Sequence, residues 1–375
     1  MSSPLDPAAL ALELIALDSD NPPGREAECA AMAGGMLEAG GYAVQYHEFG
    51  PHRTGLVACL GEPAGALVLS GHLDTVPLGQ APWSVNPRGE RRDGRIWGRG
   101  ASDMKGGVAA LLAAALAAAR DYAGTGGLLL VLTAGEETGC IGASTMVRDG
   151  ALPHRAGAVL VAEPTANRPM LGHKGSMWLA ARFRGRAAHG SMPELGDNAV
   201  LKAARAALDL AAWAAGLPVP ASGQRPTLNV GALHGGSKVN MVPDSATLEL
   251  DVRFPADVDP DALAAELRRA AGPEAEFELL GKGHGVATPP DHPWVARALE
   301  LLAAETGRAA EPGMLPYFTD AGILCPALGR PPVLILGPGE PGQAHQTDEW
   351  CSEPAILQAA RFYEALCRDW LAAGR

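Results

Sequence analysis

The sequence predicts an α/β protein built on an open, largely parallel sheet and interrupted by a smaller α+β domain of ferredoxin-like plan. Three observations lead there. Short apolar runs at 67–69, 128–133 and 158–162 alternate with alanine-rich stretches of helical spacing, the pattern of strands buried on both faces by helices. Glycine or acidic residues follow these runs directly, at the edge where an open α/β sheet carries its ligands. Between 176 and 285 the pattern changes to strand, helix, strand, strand, helix, strand.

In chain order, residues 6–17 read as a helix stopped by SDNPPG, and 25–39 as a second helix ended by Gly40 and Gly41. Strands follow at 42–46, 56–60 and 66–70. Residues 79–100 turn to Pro, Gly, Arg and Trp, a long loop expected to wall a substrate site. GRGASDMKGG at 98–107 opens a helix to about Arg120; the strand 128–133 ends in AGEETGCIGA, a helix covers 142–148, and the strand 158–162 ends at Glu163. In the middle, strands at 177–185, 227–233, 246–254 and 276–280 combine with helices at 197–215 and 261–271. The third of these strands alternates cleanly, with Leu248, Leu250, Val252 and Phe254 toward a core. Helix 294–305, strand 333–336, the loop GPGEPGQAHQTDEW and a helix from Glu353 complete the chain. Residues 1–175 and 286–375 are therefore expected to form one discontinuous domain, with 176–285 inserted into it.

At 375 residues the chain is long enough for two domains, and 47% hydrophobic residues suffice for burial. Forty-two acidic against thirty basic residues leave a net charge of −12, which argues against nucleic acid as a partner. MSSPLDPAAL lacks a basic n-region, and the longest apolar stretch, 108–119, is too short to span a bilayer, so neither secretion nor a membrane is expected. Six scattered cysteines without a CxxC suit small buried residues in a reducing cytoplasm.

Chemistry concentrates in SGHLDTVP at 70–77. His72 and Asp74 stand two apart and project to one side of an extended chain, so one can bind a metal while the other holds its neighbour in place. Four more candidate ligands follow: Asp103, Glu137, Glu163 and His345. Imidazole and carboxylate suit zinc or a similar divalent ion, and five donors exceed one tetrahedral site; two ions sharing a carboxylate would use them all. Of the adjacent Glu136 and Glu137, one can ligate while the other moves a proton as general base.

GHLDTVP, GRGASDMKGG, GEETG, AEPT and AHQTDEW resemble the successive motifs of the M20 metallopeptidases, a group that includes N-acyl amino acid deacylases, dipeptidases and carboxypeptidases. The resemblance spans nearly the whole chain. It implies a zinc-peptidase-like catalytic domain with an inserted lid that pairs two subunits, and a site of two zinc ions per chain for which cobalt can substitute. Asp103 would bridge, His72 and Glu163 would hold one ion, and Glu137 and His345 the other. It further implies Glu136 as the base, Asp74 as the carboxylate partner of His72, and His189 as an oxyanion donor from the lid. Arg253 in DVRF and Asn240 in GGSKVNMVP match lid positions that receive the substrate's carboxylate or amide, and Thr319 and Asp320 match a segment beside the substrate pocket. Two departures stand out, GEETG where DEE is common and Thr347 where the deacetylases carry proline.

The expected activity is cleavage of the amide bond of an N-acyl amino acid or a short peptide by a cytoplasmic homodimer. N-acetylornithine leads, succinyl-diaminopimelate follows, and a dipeptidase or glutamate-type carboxypeptidase is the third reading. A single-zinc aminopeptidase would leave Asp103 without a bridging role. A catalytically silent metal-bearing protein would lack a base or a ligand, and none is missing here.

Overall fold

The computed structural model describes residues 5–374, so the reading of the first four residues lies outside the described part. The chain forms two compact units, one built from the segments up to Gly172, Ala287–Leu315 and from Thr319 onward, the other from His173–Val286 with Pro316–Phe318.

In the larger unit the fully apolar strands become the centre of a mixed sheet. Its order runs Ala43–Gly50, Arg53–Gly61, Gly127–Thr133, Leu67–His72, Ala158–Val161, Val333–Ile335. The last four are mutually parallel and buried along their whole length. Parallel strands need crossover connections, and helices Gly106–Ala119 and Ile141–Arg148 supply them. Pro7–Ala16, Gly106–Ala119 and Glu353–Ala372 bury their alanine, leucine and aromatic faces in one core. The first and last of these helices start with a cap: the Asp6 carboxylate caps Ala8 N–H at 2.9 Å with Pro7 at the first position, and the Ser352 hydroxyl caps Ala355 N–H.

Helix Gly106–Ala119 with its preceding turn is 19 residues long and apolar enough to cross a membrane by length and composition, but 83% of that window is buried inside the unit. Asp103 and Met104 depart from helical geometry, and the helix proper has 14 residues. It is a core helix. Its glycine start has a packing reason, because a Cβ at Gly107 would lie 2.3 Å from the Ala162 carbonyl oxygen.

The expected loop 79–100 contains a hairpin. Strands Glu90–Arg92 and Arg95–Trp97 pair with each other, and the second pairs with Trp350–Ser352. Three-residue strands rich in arginine carry too little apolar alternation to read from sequence.

The smaller unit follows the predicted β-α-β-β-α-β order, with strands Gly175–Arg184, Thr227–Gly235, Ser245–Phe254 and Ala275–Gly283 and helices Ala199–Ala215 and Pro260–Ala271. Counting the strands 1 to 4 along the chain, the antiparallel sheet is ordered 2-3-1-4. Leu248, Leu250, Val252 and Phe254 alternate into its core, as the period of two requires. A short ribbon, Ala188–His189 paired with Met241–Val242, extends from this unit.

Candidate metal and catalytic site

Register explains how residues far apart in sequence meet. His72 stands opposite Thr133, so those two parallel strands end level, and Val161 stands opposite Ser70, so the third ends two residues short of them. The residues just beyond those ends, Asp74, Glu136, Glu137 and Glu163, therefore collect along one edge of the sheet. Asp103 comes from the turn before the core helix and His345 from the loop after strand Val333–Ile335. Glu163 is held from both sides, since a Cβ at either Gly107 or Gly337 would collide with the Ala162 carbonyl.

Ligand atoms of His72, Asp103 and Glu137 all lie within 4.8 Å of one another. Asp103 sits between two imidazoles, with Oδ1 3.0 Å from His72 Nε2 and Oδ2 3.4 Å from His345 Nε2. His345 Nε2 also lies 3.1 Å from Glu137 Oε2. Glu163 is buried and close enough to Asp103, His72 and Glu137 to feel their charge. His72, Asp103, Glu137 and His345 thus meet in one cluster, and Glu163 is buried near it. Its electrostatics are unbalanced: burial first, then neighbouring carboxylates, pushes Glu163 well above the usual carboxylate range. The two imidazoles are raised as well. Hydrogen bonds to Asp103 and Glu137 raise His345 to about 10, and His72, despite the opposing effect of burial, is raised by Asp103. Burial alone would raise Asp103, but the hydrogen bonds with both histidines hold it well below its ordinary value. Three carboxylates, Asp103, Glu137 and Glu163, with two imidazoles make a donor set that divalent cations fit by charge and by ligand type.

Asp74 departs from expectation. The His72 Nδ1 lies 2.9 Å from the backbone carbonyl of Asp74, while the Asp74 carboxylate stands 3.7 Å away. That carboxylate instead accepts the backbone N–H groups of Glu136 and Glu137, both at 3.1 Å, and the amide of Asn21 at 2.8 Å. The backbone carbonyl thus orients the His72 ring, and the Asp74 side chain fixes the backbone of Glu136 and Glu137. Asn21 also donates to the Thr138 hydroxyl at 3.0 Å. Its sequence context, SDNPPG, reads as a helix stop, and only the asparagine itself hinted at more.

Glu136 is half-buried, with Oε1 3.8 Å from Cys140 Sγ. Burial raises its proton affinity well above the ordinary value, with Glu163 and Asp320 adding to the effect and His72 opposing it. Asp320 is buried behind it, where it accepts a hydrogen bond from the Thr133 hydroxyl.

The remaining predicted residues belong to the smaller unit. His189 and Asn240 meet on the exposed ribbon, where Gly190 N–H donates to the Asn240 carbonyl at 2.8 Å and His189 Nδ1 lies 2.7 Å from the Ser191 hydroxyl. Arg253 is elsewhere. It stands opposite Ser176 at the other end of the sheet, eight residues along its strand from Ser245, or about 26 Å at 3.3 Å per residue. Its guanidinium is paired with Asp251 at 2.7 and 3.0 Å.

Comparison with known proteins agrees with this architecture. Acetylornithine deacetylase of Vibrio campbellii is 31% identical over 351 residues, covering 87% of this chain and 88% of that protein. The enzyme of the same description from Klebsiella pneumoniae is 33% identical, covering 80% and 79%. Among solved structures, an M20 family metallo-carboxypeptidase, Sso-CP2 from Sulfolobus solfataricus, superposes with a TM-score of 0.80 at 19% identity, covering 98% of this chain and all of the other. The Bacillus subtilis YXEP protein, described as a dinuclear metal binding peptidase from the M20 family, gives 0.68 at 17% identity, covering 98% of each. The sequence pattern of peptidase family M20/M25/M40 matches residues 68–369, and the chain belongs to that family of hydrolases.

Proposed function

We propose that this protein hydrolyses the amide bond of an N-acyl amino acid, with N-acetylornithine the first substrate to test and succinyl-diaminopimelate the second. The observation that supports the reading is the cluster at the sheet edge, where His72, Asp103, Glu137 and His345 meet, with Glu136 adjacent to Glu137. Deacetylases among the relatives favour an acyl amino acid over a peptide.

His72 and Glu163 would hold one zinc ion, Glu137 and His345 the other, with Asp103 shared; its placement between the two imidazoles supports the shared role. Cobalt would serve in the same sites. The ions, when bound, supply Lewis-acid polarisation of the scissile carbonyl and make water acidic enough to attack near neutral pH. Glu136 takes the proton from the attacking water and delivers it to the nitrogen as the C–N bond breaks, so the amine leaves neutral; the carboxylic acid formed then gives its remaining proton to Glu136 and from there to solvent, leaving a carboxylate. A carboxyl with raised proton affinity suits that transfer. Asp74 sets the angle of Glu136 through the backbone amides it binds.

Residues 1–175 and 286–375 act in this reading as the catalytic domain, and 176–285 as a lid and dimerisation domain. His189 donates to the developing oxyanion, Asn240 lies beside it, and Arg253 exchanges Asp251 for the substrate carboxylate, which offers the same bidentate geometry. A homodimer is supported by Leu201 and Leu208, seven residues apart on one helix face and exposed at 67% and 73%, next to the edge strand Thr227–Gly235. Six free thiols suit the cytoplasm.

The test is metal-dependent release of free amine from N-acetylornithine, N-acetylmethionine, succinyl-diaminopimelate and several dipeptides, with zinc counted on the same sample. Hydrolysis of one acyl amino acid with about two zinc per chain supports the proposal. Two ions without hydrolysis of the acyl substrates, or cleavage of dipeptides alone, overturns the substrate assignment.

A further inference from the structure

Two buried charged residues near the cluster ligate nothing in the proposed reading. Arg99 and Glu349 have side chains 3% and 1% exposed and form an ion pair at 2.7 Å. Glu349 Oε1 accepts the backbone N–H groups of Ser102 at 2.8 Å and Asp103 at 3.0 Å, while Oε2 accepts Gly100 N–H at 3.0 Å besides the guanidinium. One carboxylate thus ties down three of the four amides from Gly100 to Asp103. Arg99 reaches the other way, donating to the carbonyl of Gln346 at 3.1 Å and of Pro77 at 3.3 Å. The pair therefore links three segments separate in sequence: the one following His72 and Asp74, the turn carrying Asp103, and the loop carrying His345.

We infer that Arg99 and Glu349 are positioning residues that set Asp103 and His345 in ligating geometry. The inference rests on the reading of those two residues as metal ligands. Burying an ion pair offers little net stability over an apolar pair of equal volume, so its value here lies in the directed hydrogen bonds it makes. The His345 loop needs such restraint, because His345 and Asp348 both adopt positive φ, at 65° and 58°, which non-glycine residues hold only when their surroundings impose it. Asp348 is fixed by Ser84, whose N–H and hydroxyl it accepts at 2.8 and 2.7 Å, and Glu349 and Arg99 fix the rest. Glu349 immediately precedes the strand Trp350–Ser352 that pairs with Arg95–Trp97, which keeps the two loops in register.

The experiment titrates the metal-free full-length chain with Zn²⁺ and Co²⁺ and follows the cobalt absorption bands, for the wild type, Glu349→Gln, and the charge-neutral double variant Arg99→Met with Glu349→Gln. All five ligands remain in each. The expected result is 10- to 100-fold weaker metal binding, the range in which residues supporting metal ligands act, with activity recovered at saturating metal and KM unchanged. Loss of fold alone would lower the melting temperature without that recovery. If Glu349→Gln does not fold, the double variant carries the same expectation. Wild-type affinity in the folded variant, or activity that stays low at saturating metal, overturns the inference. A wild-type chain that binds no metal overturns the proposed function first and this inference with it.

Discussion

In the larger unit the candidate residues stand at the ends of buried parallel strands, crowded into a charge imbalance that the fold sustains through backbone amides, Asn21 and the Arg99–Glu349 pair. In the smaller unit His189 and Asn240 sit on an exposed two-residue ribbon and Arg253 near the end of a strand in the four-stranded sheet, with His189 beside the Ser191 hydroxyl and Arg253 paired with Asp251. The difference is one of preorganisation. The groups proposed to bind cations and move protons are held rigidly by elements that cannot shift without unpacking a core. The others lie where repositioning costs little, and their existing contacts, a hydroxyl and a carboxylate, are the kinds of group that a substrate could replace.

If that contrast is right, substitutions in the two units should separate chemistry, binding and stability. The largest effect is expected for Glu136→Gln, a loss of about 10²- to 10⁴-fold in turnover with both metals retained, from paired kinetic and metal assays. Retained turnover would remove Glu136 from the role of base. Next comes His189→Ala, expected to lower kcat by about 10²- to 10³-fold while the melting temperature stays within the range of a surface change, about 0.5 kcal/mol. An unchanged kcat would leave the ribbon without a catalytic part. Arg253→Ala should raise KM by about 10- to 100-fold with kcat much less affected. Asp251→Asn, which frees the guanidinium, should lower KM; a rise in KM would mean that Asp251 holds Arg253 ready rather than competing for it.

The smallest effect is one of stability. Glu136 and Glu163, raised by burial, keep protons in the folded metal-free chain at pH values where unfolded glutamates have already ionised at about 4.3. Stability should therefore fall as pH rises from about 4. His345, raised to about 10, adds stability that is complete below about 6.5 and lost toward 10. Asp103 acts oppositely, contributing above its unfolded value and losing that contribution as the pH falls. Bound metal keeps the carboxylates ionised. Its stabilisation should thus widen with pH, by roughly 1.4 kcal/mol per pH unit for each proton released, in melting curves from pH 5 to 9 with and without chelator. A constant difference would show that the carboxyls do not retain protons when the metal is removed.

Much of this molecule was legible before any coordinates. The apolar runs at 67–69, 128–133 and 158–162 could only be buried strands, and the alternation from Leu248 to Phe254 named the core face of the inserted sheet correctly. Asp74 shows where reading stops. Its spacing from His72 suggested a carboxylate–imidazole contact, but the turn after the strand put the carbonyl there instead. The hairpin at 90–97 was missed because its strands are short and polar.

Sequence alone determined which residue types could ligate, which segments had to be buried and the order of elements in both units, because these follow from side-chain chemistry and from periodicities of 2 and 3.6 residues. Tertiary structure decided who meets whom. The alignment of the parallel strands, the backbone amides gathered on Asp74 and Glu349, and the placing of Arg253 opposite Ser176 depend on strand register and turn geometry. Those are set by packing between segments as far as 264 residues apart, and no local pattern encodes them.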